Sequence, residues 1–137
     1  MKYLVDANVL SEPTHAQPAP HVVGWLARHE AELVVDPIIL GELEFGILKL
    51  PPGKKRQALE RWFAGIAAEL TCLPLTSSVA RTWAALLEQL RRRGTAMPLK
   101  DSLIAATALH HDLTVVTHNT RDFRAAGVDL LDPFATH

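Results

Sequence analysis

Short apolar runs rich in β-branched residues alternate with longer amphipathic stretches along this chain, and this alternation limits the fold more than any other feature. Runs such as Leu33–Val35 and Leu113–Thr117 have the length and composition of buried strands. Between such runs, as in residues 54–70, apolar side chains recur at the spacing of one helix face. Strands that alternate with helices favour a parallel sheet with helices on both faces. We therefore predict an α/β fold of this kind.

The prolines and the single cysteine refine this interpretation. The predicted strands cover residues 2–5, 33–35, 72–75, 113–117 and 128–131, and the predicted helices cover 21–29, 38–50, 54–70, 99–111 and a stretch that Thr76 or Ser77 begins and Gly94 ends. Prolines at positions 13, 18 and 20 predict an irregular connection after the first strand. Pro74 fits only near a strand end or a sheet edge. Cys72 lies in an apolar run, which predicts a buried structural thiol.

Length and charge narrow the classes of protein that the chain can belong to. At 137 residues, we expect one domain covering 1–137, long enough to bury a core. A composition of 48% hydrophobic and 21% charged residues excludes a disordered chain. The net charge of −1 excludes a global basic field, although a local basic rim would still serve an enzyme that acts on nucleic acid. No apolar run approaches the roughly 20 residues of a membrane span, so we expect a cytoplasmic protein with no membrane partner.

Polar side chains follow the first strand and the clearest later strand. Asp6 and Asn8 come directly after the first strand, in the segment VDANVL. Thr117 ends the later strand, and Asn119 and Asp122 follow it in the segment VVTHNTRDF. Each of these residues is also an ordinary turn former. However, open α/β sheets place their ligands at the carboxyl ends of the strands, where these side chains are expected to meet.

Two predicted helices each carry an acid on an inward face. Glu42 lies in ILGELEFGIL on a face that is otherwise apolar or small, so it points towards the protein body. Asp101 lies in PLKDSLIAATAL on the same stripe as Ala105 and Ala108, which allow a close approach to the sheet. Taken alone, Asp101 is better explained as a favourable first-turn acid after Pro98. Several carboxylates in one pocket would repel one another unless a cation relieves them, and oxygen-only ligands suit Mg²⁺ or Mn²⁺.

The four segments VDANVL, ILGELEFG, KDSLIAATA and VVTHNTRDF together resemble those of PIN-domain nucleases in order and approximate spacing. The chain is most similar to the toxin components of VapBC-type toxin–antitoxin pairs, including their FitB-like members. This resemblance spans nearly the whole chain and implies a three-layer α/β/α PIN-like domain with a short central parallel sheet. It also implies a homodimer, a Mg²⁺- or Mn²⁺-dependent endoribonuclease acting on RNA, and a VapB-like antitoxin that inserts a segment across the active site.

The resemblance also implies roles for individual residues. Asp6, Glu42 and Asp101 match the three principal acids, with Asp6 and Asp101 expected to bind the metal directly. Asn8 and Thr117 match the family's supporting polar residues. Asn119 and Asp122 are the candidates for the position of the family's fourth acid.

That fourth position departs from the family's pattern. Many relatives carry an aspartate where this chain has Asn119, whose neutral carbonyl lowers the negative charge of the site. We take Asn119 as the aligned residue and Asp122 as the next candidate, which leaves a one-metal and a two-metal mechanism both open.

The basic residues that flank these segments are candidates for contact with RNA. Lys100 and Arg121 lie next to Asp101 and Asp122 in the sequence, and we expect them to contact phosphates. Two alternatives to a toxin remain open. One is a PIN-type nuclease that processes RNA or cuts DNA without a toxic role, and the other is a non-catalytic domain that binds RNA or an antitoxin, which the neutral Asn119 would favour.

Overall fold

A computed structural model describes residues 1–135, and a parallel sheet organises this part of the chain. Its five strands are β1 (Tyr3–Val5), β2 (Leu33–Val35), β3 (Thr71–Cys72), β4 (Thr114–Val116) and β5 (Leu130–Leu131). They lie in the order β3-β2-β1-β4-β5, and every neighbouring pair is parallel. The predicted α/β fold with a short central parallel sheet is confirmed.

Seven α-helices flank this sheet within residues 1–135. They are α1 (Ala7–Leu10), α2 (Pro20–Arg28), α3 (Pro37–Leu48), α4 (Lys54–Glu69), α5 (Ser77–Arg92), α6 (Leu99–His111) and α7 (Thr120–Phe123). Helix α3 packs against α4 and α6, and α5 packs against α6. None of the helices in these residues is long and apolar enough to cross a membrane.

The strand order places a topological switch point at β1 and β4. From β1 the chain continues to β2 and β3 on one side, whereas from β4 it continues to β5 on the other. Connections that leave two adjacent strands in opposite directions open a crevice at their carboxyl ends. The register pairs Val5 with Val116, so Asp6 and Thr117 emerge side by side. The backbone N–H of Asp6 donates to the carbonyl oxygen of Val116 at 2.9 Å, which fixes this junction.

Both faces of the central strands are covered. Leu4, Val5, Val35, Val115 and Val116 are buried in the core, as the continuous apolar runs predict for a parallel sheet packed on two sides. The alanines of α6 that were expected to pack closely, together with Ile104, are also buried in the core cluster. Asp101, one turn earlier, is therefore held near the sheet.

The structure differs from the sequence-based assignments in several local features. The connection after β1, predicted to be irregular, begins with the short helix α1, because the Asp6 carboxylate caps it. The turn predicted around Asp122 forms the short helix α7, and β5 is shorter than expected. The prediction of a buried Cys72 is wrong, since its side chain is exposed. Its strand β3 has only two residues and lies at the sheet edge, where no further strand covers it.

Candidate active site

Asp6 is the most extensively hydrogen-bonded acid at the switch point. Its Oδ1 accepts from the backbone N–H of Ala7 at 2.9 Å, which caps α1. Its Oδ2 accepts from the Thr117 hydroxyl at 2.7 Å and from the Asn8 side-chain amide at 3.1 Å. Asp6 is only 3% exposed, so these donors replace most of the water that its carboxylate would otherwise bind.

Asn8 and Thr117 join the first strand end to the fourth. The side-chain carbonyl of Asn8 accepts from the backbone N–H of His118 at 3.0 Å. The Thr117 hydroxyl also accepts from the backbone N–H of Asn119 at 3.0 Å. The contact from His118 to Asn8 spans 110 positions of the chain and the one from Thr117 to Asp6 spans 111, so together they lock Asp6 to the loop that follows β4.

The protonation equilibrium of Asp6 reflects both its burial and its neighbours. Burial raises its pKa above the usual range, the hydrogen bond from Thr117 lowers it, and the charge of Glu42 raises it again. The net pKa is raised. A buried carboxylate of this kind gains from a cation that stabilises its charged form.

Asp101 lies in the first turn of α6, where it is 6% exposed. Burial raises the pKa of Asp101 to about 6, and the negative charges of Asp6, Asp122 and Glu42 also raise it, while Lys100 lowers it. The charges of Asp6, Asp122 and Glu42, which come from separate parts of the fold, therefore act on Asp101 at the switch point. Carboxylates that repel a buried acid in this way are common at sites that bind cations or move protons.

Glu42 faces this group of acids from α3. Its Oε2 pairs with the Lys100 ammonium, and its Oε1 is buried without a hydrogen-bond partner among the described residues. A buried carboxylate oxygen that lacks a donor is costly, so it is suited to accept from a ligand that enters the site.

The residues after β4 contribute unequally to the acidic group. Asn119 is exposed and reaches the network through its backbone N–H. Asp122, in α7, is also exposed, yet its charge acts on Asp101. Arg121 is exposed beside it, and this segment lines a recess of about 410 Å³ with His118 and Arg124. The charge of Asp122 thus acts on Asp101, whereas Asn119 meets the network through its backbone N–H.

Asp36 is a buried acid that the sequence interpretation missed. It is 0% exposed at the end of β2, where its Oδ1 accepts from the backbone N–H of Ile39 at 2.9 Å and caps α3. Burial raises its pKa, and the nearby Thr107 hydroxyl lowers it, although neither Asp36 Oδ2 nor Thr107 Oγ1 is in hydrogen-bond geometry. The signal was present in the sequence, since Val35-Asp36 repeats the strand-then-aspartate pattern of Val5-Asp6.

A groove of about 670 Å³ adjoins the acidic group. Asn8 and Glu42 line it near the acids, and mainly apolar side chains of α3 and α4, including Ile47, Leu59 and Trp62, line the remainder. Such a surface is suited to an extended or helical segment with apolar side chains.

The donor set fits a hard divalent cation that retains water ligands. Within residues 1–135, no three acidic, histidine or cysteine side chains are grouped closely enough to form a complete metal site. Mg²⁺ and Mn²⁺ do not require one, because such ions are commonly held by one or two carboxylates and several waters. Asp6 and Asp101 offer buried carboxylate oxygens, and Glu42 Oε1 is available to a bound water.

Known proteins share both the sequence and the fold of this chain. Residues 3–128 match the family model described as the PIN domain. Toxin FitB of Neisseria gonorrhoeae is 36% identical over 135 residues, covering 96% of this chain and 97% of that protein. A VapC ribonuclease of Sinorhizobium fredii is 33% identical over 135 residues, covering 96% of each protein.

Solved structures give the same result. A structure of FitAB bound to a DNA fragment superposes with a TM-score of 0.88 at 31% identity, covering 98% of this chain and 97% of that one. The structure of FitAcB from Neisseria gonorrhoeae gives a TM-score of 0.85 at 33% identity, covering 98% of this chain and 99% of that one.

Proposed function

This chain belongs to the PIN-domain family, as a VapC/FitB-like ribonuclease toxin of a type II toxin–antitoxin system, and on that premise we propose how its acidic site cleaves RNA. PIN ribonucleases are typically metal-dependent, and we propose Mg²⁺ or Mn²⁺ here, held by Asp6 and Asp101. The observation that carries the proposal is the burial of Asp6 and Asp101 at the switch point of the sheet, where the charges of Glu42 and Asp122 also act on Asp101.

Each residue has a defined part in the proposed hydrolysis. A divalent ion held by Asp6 and Asp101 would supply a water activated at neutral pH, and it would stabilise the leaving oxygen of the phosphodiester. Glu42 Oε1, which has no hydrogen-bond partner among residues 1–135, would accept a hydrogen bond from the attacking water and orient it. Thr117 and Asn8 hold Asp6 in position through Oδ2.

The remaining polar residues of the site set its charge or contact the substrate. Asp122 adds negative charge near Asp101, while Asn119 stays neutral, a combination that supports one firmly held ion rather than two. Lys100 and Arg121 are proposed to contact RNA phosphates on either side of the acids. A cellular RNA substrate also implies that the protein acts in the cytoplasm.

We propose a VapB-like antitoxin as the regulatory partner and a homodimer as the functional unit. The related structures include FitAB and FitAcB. In this chain the 670 Å³ groove runs from Asn8 and Glu42 over apolar side chains, and we propose that an antitoxin segment binds there and blocks the site.

Inducible expression of matched variants in a bacterial host tests the ribonuclease role. Wild type should arrest growth and create discrete new RNA ends, whereas Asp101→Asn should do neither. The matched control is Asp129→Asn, which removes an exposed acid just before β5. Asp129 thus lies at the amino end of its strand, whereas Asp6 lies at the carboxyl end of β1. This control should behave as wild type.

Purified protein then separates the alternatives. Cleavage that requires Mg²⁺ or Mn²⁺ and stops in EDTA supports the mechanism. If folded wild type cuts DNA but not RNA, a DNA-directed nuclease replaces it. If it binds RNA or antitoxin without cutting, and Mn²⁺ binding does not depend on Asp101, the chain is a binding module.

A further inference from the structure

Lys100 occupies a position that its own helix disfavours. It lies in the first turn of α6, directly before Asp101. The positive end of the helix dipole is there, so an acid such as Asp101 is stabilised and a lysine is not. Contacts outside α6 must therefore account for the position of this ammonium group.

Glu42 provides that contact from α3, 58 positions away in the chain. The Lys100 Nζ donates to Glu42 Oε2, with the two side chains 47% and 28% exposed. The other carboxylate oxygen, Oε1, has no hydrogen-bond partner in residues 1–135. Lys100 thus pairs with only one of the two carboxylate oxygens of Glu42. Its ammonium is partly hydrated, so its exchange for another cation is easy.

The charge of Lys100 also acts on the other acids of the site. Partial burial lowers the pKa of Lys100, but its hydrogen bond to Glu42 and the charges of Glu42, Asp101 and Asp6 raise it more. In turn, Lys100 lowers the pKa of both Asp6 and Asp101. The ammonium is therefore paired directly with Glu42, and it lies next to Asp101 in the first turn of α6.

We infer that Lys100 is the resident counter-cation of the acidic site, paired with Glu42 until a divalent ion binds and displaces it. This inference rests on the proposed function, because it requires the ion to bind at Asp6 and Asp101. A divalent ion held by Asp6 and Asp101 would bring twice the charge of an ammonium, and a water bound to it would reach Glu42. Once displaced, Lys100 is next to the site and able to contact an RNA phosphate.

The first test measures Mn²⁺ affinity by calorimetry for wild type, Lys100→Met and Lys2→Met. Methionine keeps the length of the side chain but removes its charge. Lys2 is exposed and precedes β1, so it lies at the amino end of this strand, whereas Asp6 lies at its carboxyl end. Lys100→Met should bind Mn²⁺ on the order of tenfold more tightly, which corresponds to about 1.4 kcal/mol. Lys2→Met should match wild type.

Melting in EDTA adds a second readout. Lys100→Met should melt at a lower temperature than wild type, since Glu42 loses its paired cation. Mn²⁺ should raise the melting temperature of Lys100→Met by more than it raises that of wild type. Equal Mn²⁺ affinity in Lys100→Met and wild type, with binding that still depends on Asp101, overturns the inference and leaves the proposed metal site intact. Absence of Mn²⁺ binding in both proteins overturns the two together.

Displacement itself is measured by the rate at which Lys100 is methylated by formaldehyde and borohydride. Mass spectrometry of the intact fold, with and without saturating Mn²⁺, should report a several-fold faster modification of Lys100 when the ion is present. Lys2 should react at one rate under both conditions. An unchanged or slower rate at Lys100 would mean that the ammonium stays paired with Glu42, which contradicts its role as an exchangeable counter-cation.

Discussion

The acidic site has two halves that are held together in different ways. In the strand half, Asp6 receives hydrogen bonds on both carboxylate oxygens, from Ala7, Asn8 and Thr117. In the helix half, Glu42 has one oxygen paired with Lys100, and its other oxygen has no hydrogen-bond partner in the part of the chain that the structure describes. The strand half is buried and fixed by directional bonds, whereas the helix half depends on one partly exposed ion pair.

This difference indicates that the two halves of the site have different roles. A metal ligand gains from being fixed before the ion arrives, because the cost of ordering it is met during folding. A residue that orients water or yields to an incoming cation needs an unsatisfied oxygen and a partner that can leave. The strand half has the first property and the helix half has the second.

The largest effect expected from this comparison is at Thr117. Thr117→Val keeps the shape of the side chain but removes the hydroxyl that donates to Asp6 Oδ2. Loss of a donor to a buried carboxylate should destabilise the metal-free protein by about 1–3 kcal/mol, measured by urea unfolding. Cleavage should fall as well, because Asp6 is less firmly held.

Two controls make this result specific to the strand half. Thr117→Ser retains the hydroxyl and should recover most of the stability and the activity. Lys100→Met breaks the partly exposed ion pair of the helix half and should cost less than about 1 kcal/mol. If Lys100→Met destabilises the fold as much as Thr117→Val does, the proposed contrast between the halves is wrong.

The sequence predicted the strand half better than the helix half, for a physical reason. Asp6 and Thr117 follow strands, and the carboxyl ends of parallel strands meet at one edge of a sheet whatever the details of packing. Lys100 and Glu42 meet only because α6 crosses α3 in a particular way, and two positions 58 residues apart on separate helices carry no local sign of this. Lys100 was accordingly expected to face RNA phosphate, not Glu42.

The fold was predictable to a similar degree. Helix α6 was predicted with both its ends, since Pro98 precedes it and a full apolar stripe defines it. Short elements were less accurate: α1 depends on the Asp6 cap, and β3 and β5 have two residues each. The exposure of Cys72 depends on strand order, which hydrophobicity along the chain does not encode.

A smaller effect is expected at Asp36, which resembles Asp6 in the sequence but not in its contacts. Asp36 caps α3 with one oxygen and leaves the other buried without a partner. Asp36→Ala should destabilise the protein by about 0.5–2 kcal/mol in urea unfolding, the usual cost of losing a cap. Asp36→Ser keeps an acceptor for the N–H of Ile39 and removes the unsatisfied oxygen, so it should be at least as stable as wild type.

Thr76 provides the matched cap for this experiment. Its hydroxyl accepts from the backbone N–H of Val79 at 3.2 Å and starts α5, with no acid of the site involved. Thr76→Ala should lose stability without changing Mn²⁺ affinity. If Asp36→Ser proves clearly less stable than wild type, the second oxygen of Asp36 must be satisfied in solution, and the resemblance to Asp6 is closer than the contacts indicate.

The smallest expected effect is the pH dependence of stability in the helix half. The pKa of Asp101 is raised to about 6 from an ordinary value of 3.8, mainly by burial. Between these two pH values the folded state binds more protons than the unfolded state, so stability falls as pH rises through this window. Asp101→Asn mimics the protonated form. In EDTA, the melting temperature of Asp101→Asn should therefore exceed that of wild type by more at pH 7 than at pH 5. Asp6 and Asp36 titrate in both proteins, so their effect cancels when the two proteins are compared at the same pH. An equal gain at both pH values would mean that Asp101 is ionised across the range, and that the cation already resident beside it compensates its burial fully.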